Sequence, residues 1–146
     1  MHDKAPYNGT FTPQHQDNYY WCLQPPDALT AYVVLEEQSP ENGGITYYEK
    51  SHKLGTLDHA GSMTAAFSSQ LSANIDPEKW TCLRPLLKPG DVAFHHCNLI
   101  HGADANLSAR NRRAVAVSIY GEKAEYSKTM AEAYEKNRRA NRREPA

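Results

Sequence analysis

The sequence lacks the features that mark several common protein classes. Its three cysteines, Cys22, Cys82 and Cys97, are scattered without a CxxC pair, which is typical of free thiols in a reducing compartment. No hydrophobic run approaches the length of a membrane span, and the first residues lack the apolar segment of a signal peptide. The formal net charge of −1 gives no general attraction to nucleic acid or acidic membranes. We therefore expect a cytoplasmic protein without nucleic-acid or membrane partners; its oligomeric state stays open.

The first half of the chain reads as strands separated by turns. A length of 146 residues with 40% hydrophobic content is enough for one domain with a core. DALTAYVVLEE (27–37) is rich in strand-forming residues and is followed by the turn signal QSPENGG. ITYYEKSHKLG (45–55) predicts a second strand, expected to pair antiparallel with the first, and then a loop. Residues 56–79 are polar and irregular, as in long loops that overhang a site.

The second half predicts more short strands and then a helix. WTCLRPLL, VAFHH and NLIHG are separated by tight-turn residues and predict two or three strands. RRAVAVSIYG (112–121) is the clearest strand in the sequence, and the residues from Glu122 onward have helical composition. About seven short strands with one terminal helix indicate a mainly β fold, a β-sandwich or jelly-roll barrel with a C-terminal α-helix.

The stretch PQHQDNYYW contains a histidine and an aspartate two residues apart. On a β-strand, His15 and Asp17 would project from the same face, and Tyr19 would join them if the strand continued. Taken alone, H-x-D predicts an ordinary surface pair. A third candidate, His101, lies 84 residues beyond Asp17 (101 − 17). Two histidines and one carboxylate on one face match the facial triad that holds non-haem Fe(II) and leaves coordination positions open.

An ordered set of motifs extends this pattern over most of the chain. The set consists of HQDNYYW (15–21), ENGGITYYEKSHKLG (41–55), PGDVAFHHCNLIHGADANLS (89–108) and RRAVAVSIY (112–120). With these motifs the chain resembles the phytanoyl-CoA dioxygenase family of Fe(II)- and 2-oxoglutarate-dependent oxygenases. The resemblance implies a double-stranded β-helix, a jelly roll of the cupin-like kind. It also implies a dioxygenase that uses O2 and 2-oxoglutarate to hydroxylate a small-molecule substrate, releasing succinate and CO2.

The same resemblance implies roles for individual residues. His15, Asp17 and His101 become the iron ligands, and Arg112, eleven positions after the distal histidine, pairs with the far carboxylate of 2-oxoglutarate. Tyr32 corresponds to an aromatic position near the cosubstrate. Halogenating relatives in this structural class lack the carboxylate ligand, so the presence of Asp17 implies hydroxylation.

Strand periodicity in the last strand supports the arginine independently of the resemblance. Arg112, Ala114, Ala116 and Ser118 share one face, where small side chains leave room for a ligand. We therefore expect Ser118 also to contact the cosubstrate. A guanidinium can grip a carboxylate through two parallel hydrogen bonds. The opposite face, with its valines and isoleucine, has the character of a packing surface.

Two further expectations concern the histidines before His101 and the extent of the domain. His95 and His96 precede the distal ligand, and one of them is a candidate for a hydrogen bond to the metal ligands. Residues 1–121 are expected to form a catalytic core that lacks the N-terminal region of the family, and residues 122–146 a C-terminal helix and tail. Two alternatives stay open: a truncated, non-catalytic jelly-roll binding module, and a cupin-like metalloenzyme that does not use 2-oxoglutarate.

Overall fold

The computed structural model describes residues 1–61, 69–72 and 80–141. Within these ranges the chain forms ten β-strands and two α-helices. The strands are β1 (His2–Lys4), β2 (Thr12–His15), β3 (Ala28–Val34), β4 (Ile45–Tyr48), β5 (His59–Gly61), β6 (Ser69–Leu71), β7 (Cys82–Leu83), β8 (Val92–His96), β9 (His101–Ala103) and β10 (Arg112–Tyr120). The helices are α1 (Asp17–Trp21) and α2 (Lys128–Asn141).

Two four-stranded antiparallel sheets build the domain. The first has the order β1-β10-β3-β8 and the second the order β2-β9-β4-β7, while β5 and β6 form a separate two-stranded sheet. Tyr32, Val34 and Ala114 of the first sheet pack against Ile45 and Tyr47 of the second, and this cluster is the main hydrophobic core. The predicted mainly β jelly roll with a C-terminal helix is confirmed.

The long strand β10 has the two faces that its periodicity predicts. It pairs with β3 along seven consecutive residues, so the small-residue face is held beside the inward face of β3. Ala114 on this face is fully buried. On the opposite face, Val117 and Ile119 are 48% and 45% exposed, so the expected packing surface is uncovered in the described chain.

The predicted pairing of β3 with β4 is wrong. β3 lies between β10 and β8 in the first sheet, whereas β4 pairs with β9 and β7 in the second. The QSPENGG segment carries the chain from one sheet to the other. Gly43 permits this crossing because it has a φ of +69°, and a Cβ there would lie 2.4 Å from the carbonyl oxygen of Asp104.

The prediction that His15 and Asp17 lie on one strand is also wrong. β2 ends at His15 and Asp17 is the first residue of α1. Between them, the fully buried side chain of Gln16 donates hydrogen bonds to the carbonyl oxygens of Gly55 and Asn98, which turns the chain out of the strand. Tyr19 consequently lies in helix α1, where its ring stacks on the ring of His59. It does not line the cavity that contains His15 and Asp17.

The segment 56–79, expected to be irregular, contains two short strands, β5 and β6, which pair antiparallel. Residues 62–68 and 73–79 of this segment lie outside the described residues. The predicted C-terminal helix is confirmed as α2, whose Tyr134 packs edge-on against Tyr19 of α1. Neither described helix combines the length and the apolar character needed to cross a membrane.

Candidate metal centre

Three side chains predicted as metal ligands converge inside the jelly roll. His15 ends β2 and His101 begins β9, and the two residues are direct partners in the antiparallel pair. Gly102 allows the close approach of these strands, since a Cβ there would lie 2.9 Å from the carbonyl oxygen of Thr12. Asp17 completes the group from the first turn of α1. One potential ligand atom from each of the three residues lies within 4.8 Å of the other two.

Backbone hydrogen bonds set the tautomer of both histidines. Nδ1 of His15 lies 2.8 Å from the carbonyl oxygen of Pro13, and Nδ1 of His101 lies 2.9 Å from that of Leu99. A carbonyl can only accept, so each Nδ1 carries the proton and each Nε2 keeps its lone pair. The Nε2 atoms lie 3.8 Å (His15) and 3.5 Å (His101) from Oδ1 of Asp17. In each histidine, the nitrogen that faces the Asp17 carboxylate is therefore the one with the free lone pair.

Burial keeps the group in its metal-binding protonation state. It lowers the pKa of His15 and of His101 below the ordinary value of 6.5, so both imidazoles are neutral near pH 7. Burial by itself would raise the pKa of Asp17. The N–H of His95 and the hydroxyl of Thr30, both beside the carboxylate, outweigh that effect and hold the pKa of Asp17 well below its usual range. The site thus presents two neutral nitrogen donors and one carboxylate.

Two further side chains contact the carboxylate on its other oxygen. Thr30 donates a 2.7 Å hydrogen bond from its hydroxyl to Oδ2 of Asp17. Nε2 of His95 lies 3.4 Å from the same oxygen. The expectation that His95 or His96 adjoins the ligands is met by His95; His96 pairs with Leu29 one position further along β8. Thr30 was not predicted, although it lies two residues before Tyr32 and so shares its strand face.

A cavity of about 310 Å³ lies beside the triad and holds the other predicted site residues. Arg112, Tyr32 and Ser118 all line it. Arg112 is only 3% exposed and donates a 3.0 Å hydrogen bond from a terminal guanidinium nitrogen to the Tyr32 hydroxyl. Its Nε is buried without a hydrogen-bond partner, and no acidic side chain in residues 1–61, 69–72 and 80–141 forms an ion pair with it. A buried cation with a spare donor is suited to an anionic ligand.

The cavity has a second end, away from the arginine. Ser118 pairs across the sheet with Thr30, the residue that contacts Asp17, and lies six residues beyond Arg112 on the same strand. Trp21 lines the cavity, whereas Tyr19, the expected residue, does not. His2 also lines the cavity. No sequence signal marked His2, because its place depends on the pairing of β1 with β10.

Comparison with known proteins identifies the family. The sequence model described as phytanoyl-CoA dioxygenase (PhyH) matches residues 2–114. The chain belongs to the phytanoyl-CoA dioxygenase family. A probable phytanoyl-CoA dioxygenase of Caenorhabditis elegans is 28% identical over 123 residues, which cover 78% of this chain and 38% of that protein.

Other proteins similar to this chain are named for different reactions. The 1-deoxypentalenic acid 11-beta-hydroxylase of Streptomyces exfoliatus is 31% identical over 103 residues, covering 67% of this chain and 36% of that protein. The epimerase SnoN, solved with Fe3+, alpha ketoglutarate and nogalamycin RO, superposes with a TM-score of 0.69 at 25% identity, covering 87% of this chain and 50% of that one. The chain therefore spans about two fifths of the length of these curated relatives and half of that structure.

The donor set fits a non-haem iron of the kind that this family implies. Two imidazole nitrogens and one carboxylate oxygen on one side of the ion are the facial arrangement that Fe(II) oxygenases use. The only group of three or more potential metal-binding side chains in the described part of the chain is this triad. Arg112 lines the same cavity, and its buried Nε, which has no hydrogen-bond partner, could donate to one carboxylate of a dicarboxylate ligand.

Proposed function

We propose that this chain is the metal- and cosubstrate-binding core of an Fe(II)- and 2-oxoglutarate-dependent dioxygenase that hydroxylates a small molecule. The observation that carries the proposal is the placement of a two-histidine, one-carboxylate group and a buried arginine in one cavity. Family membership and an iron- and alpha-ketoglutarate-bound structural neighbour support it. When bound, Fe(II) with 2-oxoglutarate and O2 would supply oxidative decarboxylation of 2-oxoglutarate to succinate and CO2, coupled to hydroxylation of the substrate. One atom of O2 would enter succinate and the other would enter the substrate as its new hydroxyl group.

In this proposal His15, Asp17 and His101 hold the iron. The Nε2 lone pairs are oriented before the metal arrives, because each Nδ1–H is already engaged by a backbone carbonyl. Burial in the jelly roll excludes bulk water from this face of the site. With only three protein ligands, the remaining positions stay available for cosubstrate and oxygen.

Arg112 receives the far carboxylate of 2-oxoglutarate in this proposal. Its guanidinium is held by the Tyr32 hydroxyl, which in turn lies 3.2 Å from the side-chain amide nitrogen of Gln38. This chain of hydrogen bonds fixes the plane of the guanidinium and leaves Nε to donate to the ligand. Ser118 lies on the same cavity wall, and its place beside Thr30 puts it nearer the metal group than the arginine end.

The substrate is proposed to be a small molecule that binds in the cavity beside the metal group, which Trp21 also lines. Hydroxylation is proposed because Asp17 is retained as a carboxylate, and because one relative is named a hydroxylase. Residues 1–121 would carry this chemistry, and α2 would brace α1 through the contact of Tyr134 with Tyr19. The three cysteines are free thiols, which supports the proposed cytoplasmic location.

Anaerobic titration of the folded protein with Fe(II) and then 2-oxoglutarate tests the proposal. Binding of 2-oxoglutarate to the iron produces a metal-to-ligand charge-transfer band in the visible region. We expect the band with Fe(II) and 2-oxoglutarate together, and neither with Fe(II) alone nor with Zn(II) and 2-oxoglutarate. Admission of O2 should then convert 2-oxoglutarate to succinate and remove the band.

The same titration separates the two alternatives. A folded protein that binds no divalent metal would be a non-catalytic jelly-roll module. A folded protein that binds Fe(II) but shows no band with 2-oxoglutarate would be a cupin-like metalloenzyme of another kind. Arg112→Ala sharpens the second comparison, because the loss of this arginine should impair only an enzyme that depends on the cosubstrate.

A further inference from the structure

The two oxygens of the Asp17 carboxylate have different surroundings. Oδ1 faces the Nε2 atoms of His15 and His101, at 3.8 Å and 3.5 Å. Oδ2 accepts the 2.7 Å hydrogen bond from Thr30 and lies 3.4 Å from Nε2 of His95. One oxygen is therefore directed at the point where the ligand atoms meet, while the other is contacted by two side chains that are not ligands.

The tautomer of His95 makes its Nε2 a donor toward Oδ2. The Tyr47 hydroxyl lies 3.2 Å from Nδ1 of His95. The phenol of Tyr47 can donate its proton to Nδ1, and in that arrangement Nδ1 is the acceptor. Nε2 then carries the hydrogen. His95 is not one of the three candidate ligands, so in the opposite tautomer its Nε2 lone pair would face a carboxylate oxygen with no metal ion between them, which is repulsive.

Among the described residues, Nε2 of His95 donates to no other acceptor. Its side chain is 2% exposed, and Nε2 is buried without a hydrogen-bond partner. The 3.4 Å separation from Oδ2 is about 0.4 Å longer than a usual N–H···O bond. A buried donor without a partner is costly, and the carboxylate oxygen beside it is the acceptor that would satisfy it.

We infer that Thr30 and His95 are positioning residues that occupy Oδ2, so that Asp17 binds the metal through Oδ1 alone. This inference rests on the proposed function. Single-oxygen binding matters because the cosubstrate needs two positions of an octahedral ion and oxygen needs one. A carboxylate bound through both oxygens would take one of those positions. The two donors thus keep the site open for its third partner.

The sheet gives both donors fixed positions. Thr30 on β3 and His95 on β8 are direct partners in the first sheet, so their side chains project side by side from the same face. Thr30 is 4% exposed, and its hydroxyl is engaged by Oδ2 of Asp17. Donors on paired strands hold a ligand more rigidly than donors on loops.

Titration with Co(II), followed by visible absorption, tests Thr30 without requiring catalysis. Thr30→Val removes the hydroxyl with little change of shape and should weaken Co(II) binding roughly 10- to 100-fold, the usual effect of losing a hydrogen-bond partner of a ligand. Thr30→Ser keeps the hydroxyl and should stay within a few-fold of the unmodified protein. Thr46→Val is the matched control, because Thr46 is a buried threonine on β4 that is not part of the site. It should bind Co(II) normally.

Infrared difference spectroscopy on protein labelled with 13C-aspartate reads the binding mode directly. The splitting between the two carboxylate stretches is larger for one-oxygen than for two-oxygen coordination. Metal-bound minus metal-free spectra should show the large splitting in the unmodified protein and a smaller one in His95→Leu. His95→Gln keeps an N–H donor and should restore the large splitting at least in part.

The outcomes separate this inference from the proposed function. Failure of the unmodified, folded protein to bind Co(II) would overturn both. Normal binding by Thr30→Val together with an unchanged splitting in His95→Leu would overturn the positioning role and leave the proposed function intact. Should Thr30→Val fail to fold, the infrared comparison of His95→Leu with His95→Gln decides alone.

Discussion

Arg112→Met should separate the recognition of the cosubstrate from the stability of the fold. The substitution replaces a guanidinium that is 3% exposed with an apolar side chain of comparable length. It removes the donor to the Tyr32 hydroxyl and the buried, unpartnered Nε. It leaves the metal triad untouched, so the metal affinity should not change.

The size of the effect follows from the burial of the arginine. A hydrogen bond to a charged group contributes roughly 1.5 to 3 kcal/mol, and a guanidinium can make two such bonds to one carboxylate. Solvent screening is small at a buried site, so the loss should reach roughly 3 to 6 kcal/mol, or a hundred- to ten-thousand-fold in Kd. The free protein should be equally or more stable, because its buried cation lacks an acidic partner in the described chain. The charge of Arg112 also affects Lys4: burial and this neighbouring positive charge lower the pKa of Lys4 to about 8.

The assay is a two-by-two comparison of protein and ligand. The unmodified protein and Arg112→Met are each titrated anaerobically, as Fe(II) complexes, with 2-oxoglutarate and with 2-oxopentanoate, which has a methyl group in place of the far carboxylate. The unmodified protein should strongly prefer 2-oxoglutarate, and Arg112→Met should bind the two ligands with similar affinity. Thermal unfolding of both proteins without ligand provides the control for folding.

Pairing of Arg112 with the far carboxylate is refuted if Arg112→Met lowers the affinities for 2-oxoglutarate and 2-oxopentanoate by the same factor. That result would mean that the arginine shapes the cavity and does not pair with the carboxylate. A large fall in the unfolding temperature without ligand would likewise show that Arg112 is mainly a structural residue.

Three further outcomes are expected. Asp17→Ala should abolish Co(II) binding and 2-oxoglutarate turnover in a protein that remains folded, and full activity in this variant would contradict the ligand assignment. Burial lowers the pKa of His59 to about 4, below 6.5 in the unfolded chain. Since the unfolded state then binds more protons, stability is complete above pH 6.5 and is lost as the pH falls below it, by up to about 3 kcal/mol for this group. Urea unfolding at pH 7 and pH 5 measures the loss, and equal free energies would contradict it. Gly43→Ala should cost at least about 2 kcal/mol, since it combines a positive φ with a clash at the Asp104 carbonyl. Gly9→Ala, which meets no atom within 4 Å, should change the urea midpoint little; similar midpoints for the two variants would refute the clash.

The candidate site residues could be singled out before any coordinates. Residue type shows which side chains can bind a metal or a carboxylate, but the ordered motifs and the family resemblance selected His15, Asp17, His101 and Arg112 among the residues of those types. Strand periodicity, by contrast, is a local signal. It predicted the inward face of β10, and the structure lines the cavity with Arg112 and Ser118 from that face.

Other features depended on contacts between residues distant in the sequence. The break between His15 and Asp17 is caused by the burial of Gln16 against Gly55 and Asn98, which no local pattern encodes. The partner of β4 was mispredicted because proximity in sequence favours hairpins, whereas the chain here crosses between sheets.

The roles of Thr30 and His95 likewise belong to the tertiary structure. Neither residue type is diagnostic, and only strand pairing places both donors at the same carboxylate oxygen. The sequence by itself therefore determined which groups could form the centre and that strands would carry them. The tertiary structure decided how they meet, because hydrogen bonding and burial act through space and not along the chain.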